Sequence, residues 1–277
     1  MKSARSVIVN PVDIYGTLVS SLENGLQILA LLSKERSVLR VGEVCRELGM
    51  PKATVSRLLK AISEHGLIER LHNDQGYVAG RRALALSELY LSRHSLLDLV
   101  DLALDRLIAE FGFVGYVTVP DGGFITIIRR KLGAYPLRML RDVGQRMPAM
   151  RTASGRAYLA RMAPDMAANL IAAAGEGELE AEALLAPIRR DGVAITESTV
   201  LPGIGAVGAV VSDGGRVEEL GLSISFPASA VDEVTLARMI KRLREEAQAI
   251  GMQLGDGFWT RRAEVQQTAR PRAAAGG

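Results

Sequence analysis

The chain has 277 residues, 48% of them apolar and 23% charged, with a formal net charge of +3 and a sequence pI near 9.1. That length suits a small domain plus a larger one, and the apolar content excludes a disordered chain. A single cysteine excludes an intramolecular disulfide framework, Cys45 with His65, His72 and His94 offers no metal-ligand spacing, and 4% aromatics argue against single strands bound by base stacking.

No apolar run reaches the length of a membrane span, and the start Met-Lys-Ser-Ala-Arg has no signal-peptide core behind it. The expected location is cytoplasmic, with no membrane partner. Residues 1–19 carry Pro11 and Gly16 without sustained periodicity and read as a loose N-terminal arm. A DNA-binding domain is expected over 20–81. Ser20-x-x-Glu23 forms a capping box for a helix to about Ser33, with Leu22, Leu26 and Leu29 inward. Next, Val41, Val44, Cys45 and Leu48 fall at i, i+3, i+4 and i+7, and Val55, Leu58, Leu59 and Ile62 repeat the spacing. Gly49-Met50-Pro51 lies between them: Gly49 can leave the first helix in a left-handed conformation and Pro51 suits the start of the second. Two short amphipathic helices about a tight turn describe a helix-turn-helix.

With its stripe inward, the second helix turns Lys52, Ala53, Thr54, Ser56, Arg57 and Lys60 outward, with no acid until Glu64. Cations, hydroxyls and small side chains suit a helix in the major groove, where Arg bonds guanine and Thr or Ala meets a thymine methyl. The plainer reading is a solvated basic face; the tight turn between two phased stripes favours DNA. From Lys34 to Arg82 ten Lys/Arg stand against six acids, so a local +4 exceeds the whole-chain +3. The basic character belongs to this segment, as an electrostatic footprint on DNA would.

Leu67–Leu71, a turn at 72–76 and Tyr77–Ala79 read as a hairpin, a wing after a three-helix unit. Asn73, Gln75 and Arg81 are its candidate DNA contacts, on equal terms with a hairpin that only closes the small core. A Leu/Ala-rich helix from Arg81 to about Ser95 supplies a linker helix over 82–95, and another helix runs from Leu96 to Phe111. Such helices join a DNA module to a second domain and often pair between subunits; the alternative is packing on their own domain. The second domain is expected over 96–254. Strand-like runs occur at Gly115–Val119, Phe124–Arg129, Leu137–Leu140, Ile204–Ser212 and Glu219–Phe226. Helical patterns occupy Ala153–Met162, Met166–Ala174, Leu179–Arg190 and about Ser229–Ile250. The fold class is α+β with a largely antiparallel sheet. The tail, 255–277, reads as disordered.

Leu48-Gly49-Met50-Pro51-Lys52-Ala53-Thr54-Val55-Ser56-Arg57-Leu58-Leu59 resembles the Leu-Gly-Leu-Pro-Lys-Ser-Thr-Val-His-Arg-Leu-Leu signature of the IclR family of bacterial transcription regulators. Arg138 to Thr152 is similar to its Leu-Arg…Gly…Pro stretch, and Thr152-Ala153-Ser154-Gly155-Arg156-Ala157 to its Thr-Ala-x-Gly-[Lys/Arg]-Ala helix start. Pro202–Ile204 and Gly221–Ala228 match two further segments, so the resemblance spans about Ser20 to Ile250. It implies a winged helix-turn-helix, a linker helix and a GAF-like effector domain. It also implies dimers or dimers of dimers on inverted-repeat operator DNA, and small organic or aromatic acids as effectors; no cofactor is expected. Gly42 stands where the family commonly has Ser or Thr, and Met150-Arg151 replaces a pair often occupied by His or Cys.

In the second domain, Thr152 to Gly155 precede a helix whose free N–H groups could hold an anion, and Arg151 beside them could pair with a carboxylate. Arg151, Thr152 and Ser154 are therefore candidate effector contacts, set against ordinary N-capping by Thr152 with Arg151 solvated. Ser223 and Ser225 alternate with Leu222 and Ile224, placing hydroxyls on one strand face, toward a pocket or toward water. Gly203-x-Gly205-x-x-Gly208 spells a dinucleotide motif but precedes a continuing strand rather than a helix. No nucleophile elbow, zinc-protease or P-loop motif occurs, so no catalytic residue is assigned. A ligand-responsive transcription regulator is the expectation. The alternatives are an enzyme with a fused regulatory winged helix, or a weakly specific nucleoid binder.

Overall fold

The computed structural model describes residues 21–33, 36–72, 76–91, 95–136, 141–175, 181–214 and 218–269. The chain divides into two compact units between His94 and Ser95. The proposed N-terminal arm, Ser20 of the capping box, Asn73, Gln75 and the strand-like run 137–140 lie outside the described residues.

The first unit runs α1 (Ser21–Ala30), α2 (Val41–Leu48), α3 (Lys52–Glu64), β1 (Ile68–Arg70), β2 (Tyr77–Ala79) and α4 (Arg81–Leu91). Gly49 closes α2 at φ 65°, and Pro51, extended at φ −60°, ψ 141°, hands the chain to α3. Val44, Val55 and Leu59 form the centre of a small core with Ile28 and Ile68, while Val41, Cys45, Leu48, Leu58 and Ile62 pack around it. The inward stripes of α2 and α3 are therefore those the spacing gives. β1 and β2 pair antiparallel, and Leu39 exchanges backbone hydrogen bonds of 2.7 and 2.9 Å with Tyr77, pinning the hairpin base.

In α1 the expected face is corrected in part: Leu29 packs against the core as expected, and the other two leucines do not. Leu22 and Leu26 are 72% and 56% exposed, whereas Gly25 and Ile28 are buried. Gly25 faces Ile62 of α3, where an added Cβ would make ordinary van der Waals contact, 3.9 Å from the Ile62 Cδ1.

The second unit runs α5 (Ser95–Phe111), β3 (Val114–Asp121), β4 (Phe124–Lys131), β5 (Arg146–Pro148), α6 (Ala153–Leu159), α7 (Pro164–Ala173), α8 (Ala181–Asp191), β6 (Val193–Glu197), β7 (Ile204–Ser212), β8 (Glu219–Pro227), α9 (Glu233–Leu254) and α10 (Gly257–Ala269). Six strands in the order β5-β4-β3-β8-β7-β6 form one sheet in which every neighbouring pair is antiparallel. The α+β class with an antiparallel sheet is thus the observed fold. α6 to α8 share one apolar core with Val114, Tyr116, Ile125 and Val210. Alternate residues such as Val207 and Val211 are also fully buried, toward the face on which α5 and α9 pack.

Gly203 of the glycine-rich motif turns the chain into β7 at φ 71°, and Gly205 and Gly208 lie within the strand, where they serve packing. A Cβ on Gly205 would lie 2.5 Å from the Phe226 ring, and one on Gly208 would lie 2.6 Å from the Ser154 nitrogen.

The disordered tail is a second correction. Residues 257–269 form α10, and Trp259, only 1% exposed, anchors it. Burying the sole tryptophan supplies the apolar area that a charged, alanine-rich tail otherwise lacks. Residues beyond 269 lie outside the described ones.

Candidate nucleic-acid interface and ligand cavity

Because Val55 and Leu59 commit one stripe of α3 to the core, the helix turns Lys52, Ala53, Arg57 and Lys60 to solvent and leaves Thr54 and Ser56 half-buried at its margins. All six residues singled out on this helix therefore share its outer side. An open groove of about 830 Å³ runs beside them, bounded by Ser56 and Lys60 of α3, Arg40 ahead of α2, and Arg70 and Tyr77 of the hairpin. Arg40 and Arg70 were not singled out from the sequence; only their flanking of the helix-turn-helix hinted at them. Lys60 lies 3.9 Å from Glu64 with both side chains exposed, a weak pair that a phosphate could displace. Gly42 is the second residue of α2 and not its cap; Arg40 holds the cap position and bonds Glu43 at 3.3 Å.

Arg81 opens α4. Its backbone N–H and its Nε donate to Glu69 at 3.1 and 3.0 Å. The backbone N–H first, and then the guanidinium, hold the Glu69 carboxyl below the usual value of 4.5. Arg81 thus clips the hairpin to α4 while its side chain stays 95% exposed.

In the second unit a small cavity of about 70 Å³ lies between the sheet and the start of α6. That space holds several waters or the body of a small organic molecule. Thr152, Ser154, Ser223 and Ser225 all line it, as do Tyr116 and Thr118. Gly208 and Gly221 bring α6 this close: a Cβ on Gly221 would lie 2.7 Å from the Ser154 Cβ. Thr118 Oγ1 donates to Ser154 Oγ at 3.0 Å. Thr152 Oγ1 accepts from the Gly155 N–H at 3.0 Å and donates to the Ala149 carbonyl at 3.3 Å, which is the plain capping role.

Arg151 is not on this wall. Its side chain is exposed, and its carbonyl accepts from Thr199 Oγ1 at 2.7 Å. The guanidinium at the cavity belongs to Arg141, which sequence reading did not single out. The Arg141 Nη2 reaches the Val200 carbonyl at 3.5 Å, and its buried Nε has no hydrogen-bond partner. An unsatisfied buried donor of this kind costs on the order of 1–3 kcal/mol, which a ligand acceptor would recover. The Arg141 backbone N–H donates to the Tyr116 hydroxyl at 3.1 Å, and burial pushes that phenol's pKa up, keeping it neutral. The wall therefore offers one cation, one phenol, several hydroxyls and an apolar floor of Ile125, Ile127 and Ala206. Among the described residues no acidic, histidine and cysteine cluster could hold a metal, and no helix is long and apolar enough to cross a membrane.

The model of the bacterial transcriptional regulator IclR C-terminal domain matches residues 88–252, and that of the IclR helix-turn-helix domain matches 21–72. The chain belongs to the IclR family of bacterial transcription regulators. The transcriptional repressor IclR of Escherichia coli (strain K12) is 24% identical over 248 residues, covering 84% of this chain and 90% of that protein. A crystal structure of an IclR transcriptional regulator from Silicibacter sp. TM1040 superposes with a TM-score of 0.77 at 20% identity, covering 85% of this chain and 96% of that one. An IclR homologue from Microbacterium hydrocarbonoxydans, complexed with 4-hydroxybenzoate, gives a TM-score of 0.68 at 20% identity, with 85% and 99% covered. Within the IclR architecture, α2 and α3 form the helix-turn-helix, and the cavity lies in the unit matched by the family's C-terminal domain.

Proposed function

We propose that this IclR-family regulator is a cytoplasmic, homo-oligomeric protein that reads an operator sequence and responds to a small organic acid held in the cavity of its second unit. The orphaned Arg141 Nε on a wall of hydroxyls carries the acid reading: a carboxylate satisfies the guanidinium, and Ser223, Ser225 and Tyr116 orient the rest. Ser154, which accepts from Thr118, and Thr152, which caps α6, shape the wall. Hydroxybenzoates are natural first probes, given the homologue that holds 4-hydroxybenzoate.

On the DNA side, Lys52, Ala53, Thr54, Ser56, Arg57 and Lys60 enter the major groove, with Arg40 and Arg70 gripping phosphate along the adjoining groove. The wing, with Asn73, Gln75 and Arg81, adds backbone or minor-groove contacts. Leu84 and Leu86 of α4, 64% and 53% exposed, favour pairing with a second copy. The reading includes neither a cofactor nor catalysis.

Fluorescence anisotropy with duplex from upstream of the protein's own gene, across a salt series and against scrambled competitor, tests the DNA reading. Tight binding that survives competitor and weakens steeply with salt is expected. Equal binding to scrambled duplex would instead favour a weakly specific nucleoid protein. Repeating the titration with hydroxybenzoates tests the effector reading, since an effector must change DNA affinity.

A further inference from the structure

The C-terminal helix α10 begins beyond the last residue matched by the family model, yet it is held by a built seat. Trp259 lies against Gly192 and Gly251, where added Cβ atoms would come within 2.4 and 2.6 Å of it, and its indole N–H donates to the Val210 carbonyl at 2.8 Å. Asp256, 1% exposed, caps the helix start: it accepts from the Phe258 N–H at 2.9 Å and from the Ser212 N–H at 2.8 Å. It also takes two bonds from the Arg161 guanidinium, at 2.8 and 3.0 Å. Arg161 follows α6, is 9% exposed, and further bonds the Val210 carbonyl at 2.8 Å and Glu219 at 3.2 Å.

The elements in this clasp are those that build the cavity. α6 begins at the cavity with Ser154 and leads to Arg161. β7 places Ala206 on the cavity wall and Val210 under Trp259. β8 places Ser223 and Ser225 on the wall and Glu219 beside Arg161. We propose that α10 is a latch whose docking, through Arg161, Asp256 and Trp259, holds α6 and the sheet in the cavity-competent arrangement, so that latch docking and effector binding are thermodynamically linked. This inference rests on the cavity being the effector site. Asp256 and Trp259 are positioning residues that act through α6 and β7. By linkage, whatever an undocked α10 does to acid affinity, the acid does to α10 docking.

Trp259 is the only tryptophan in the chain, so its emission and acrylamide quenching report the latch directly in the full-length protein. Titration with 4-hydroxybenzoate or benzoate should protect Trp259 from quenching, and Asp256→Asn and Trp259→Phe should each weaken acid affinity, by calorimetry, about fivefold or more. A merely structural role would lower melting temperature but leave acid affinity well below that temperature within about twofold, with no acid-dependent Trp259 signal; that result overturns the latch.

If neither acid binds the wild type, the effector reading fails for these probes and a ligand-free pair decides the latch. Filling the cavity through Ala206→Leu should change Trp259 quenching. Asp256→Asn should speed amide exchange across 153–159 relative to the wild type. Unchanged exchange, even if Ala206→Leu does not fold, overturns the proposal.

Discussion

Arg57 stands on the solvent side of α3 with Val55 and Leu59 holding the helix beneath it, so its guanidinium can be removed without touching the core. Arg57→Ala should cost about 1–3 kcal/mol of operator affinity in anisotropy if the side chain forks onto a guanine. An equal loss on scrambled duplex would make it a phosphate contact. At the cavity, Arg141→Ala should abolish binding of a carboxylate probe in calorimetry. Arg141→Lys should fail to restore it, because an ammonium cannot supply the buried Nε donor in the same plane. At the hairpin junction the Glu69 carboxyl is held below its ordinary value, chiefly by the Arg81 backbone N–H. A depressed folded-state pKa contributes stability that is present above the ordinary glutamate range and is lost as pH falls through the folded value. Melting profiles taken from about pH 6 to pH 3 should therefore show a smaller acid-induced decline in Glu69→Gln than in the wild type. The α3 residues were legible because a 3.6-residue period fixes which side chains point outward. Arg141 was not, because its place on the wall depends on how the segment after β4 folds against the sheet, which no local periodicity records.

Elements were legible where a period ran long enough. β7 matches its predicted span; β2, only three residues long, is marked instead by its position after a turn and by the bounding Gly76 and Gly80. β5, with three residues, and β6, with five, are too short to display alternation and were missed. α1 turned differently because its buried side carries Gly25, which lacks a side chain to register as apolar, together with Ile28. α10 was missed because one tryptophan in a polar tail carries no period. Two glycine substitutions separate backbone conformation from contact. Gly49 has φ 65° and open space around a new Cβ, so Gly49→Ala should cost about 1–2 kcal/mol by conformation alone and weaken operator binding by tilting α3. Gly208→Ala would drive a methyl within 2.6 Å of the Ser154 nitrogen. It should cost about 1–3 kcal/mol in denaturant melts and lower acid affinity, because the first turn of α6 must lift from the sheet.

For the whole molecule, the family-level architecture was legible from several motifs in order, whereas assembly rests on exposed leucines. Leu84→Glu with Leu86→Glu should shift the mass measured by light scattering toward the monomer and weaken operator binding, while leaving the circular dichroism spectrum unchanged. Unchanged mass would place the self-association surface elsewhere. The sheet order has a separate consequence. β7 is nine residues long without a single charge, and it lies inside the sheet with β8 on one side and β6 on the other. Uncharged, β-prone segments of this kind seed intermolecular cross-β stacking once an edge is bared. The five residues of β6 are then a gatekeeper: should that short strand peel away during refolding, the bared edge of uncharged β7 becomes a template for another chain.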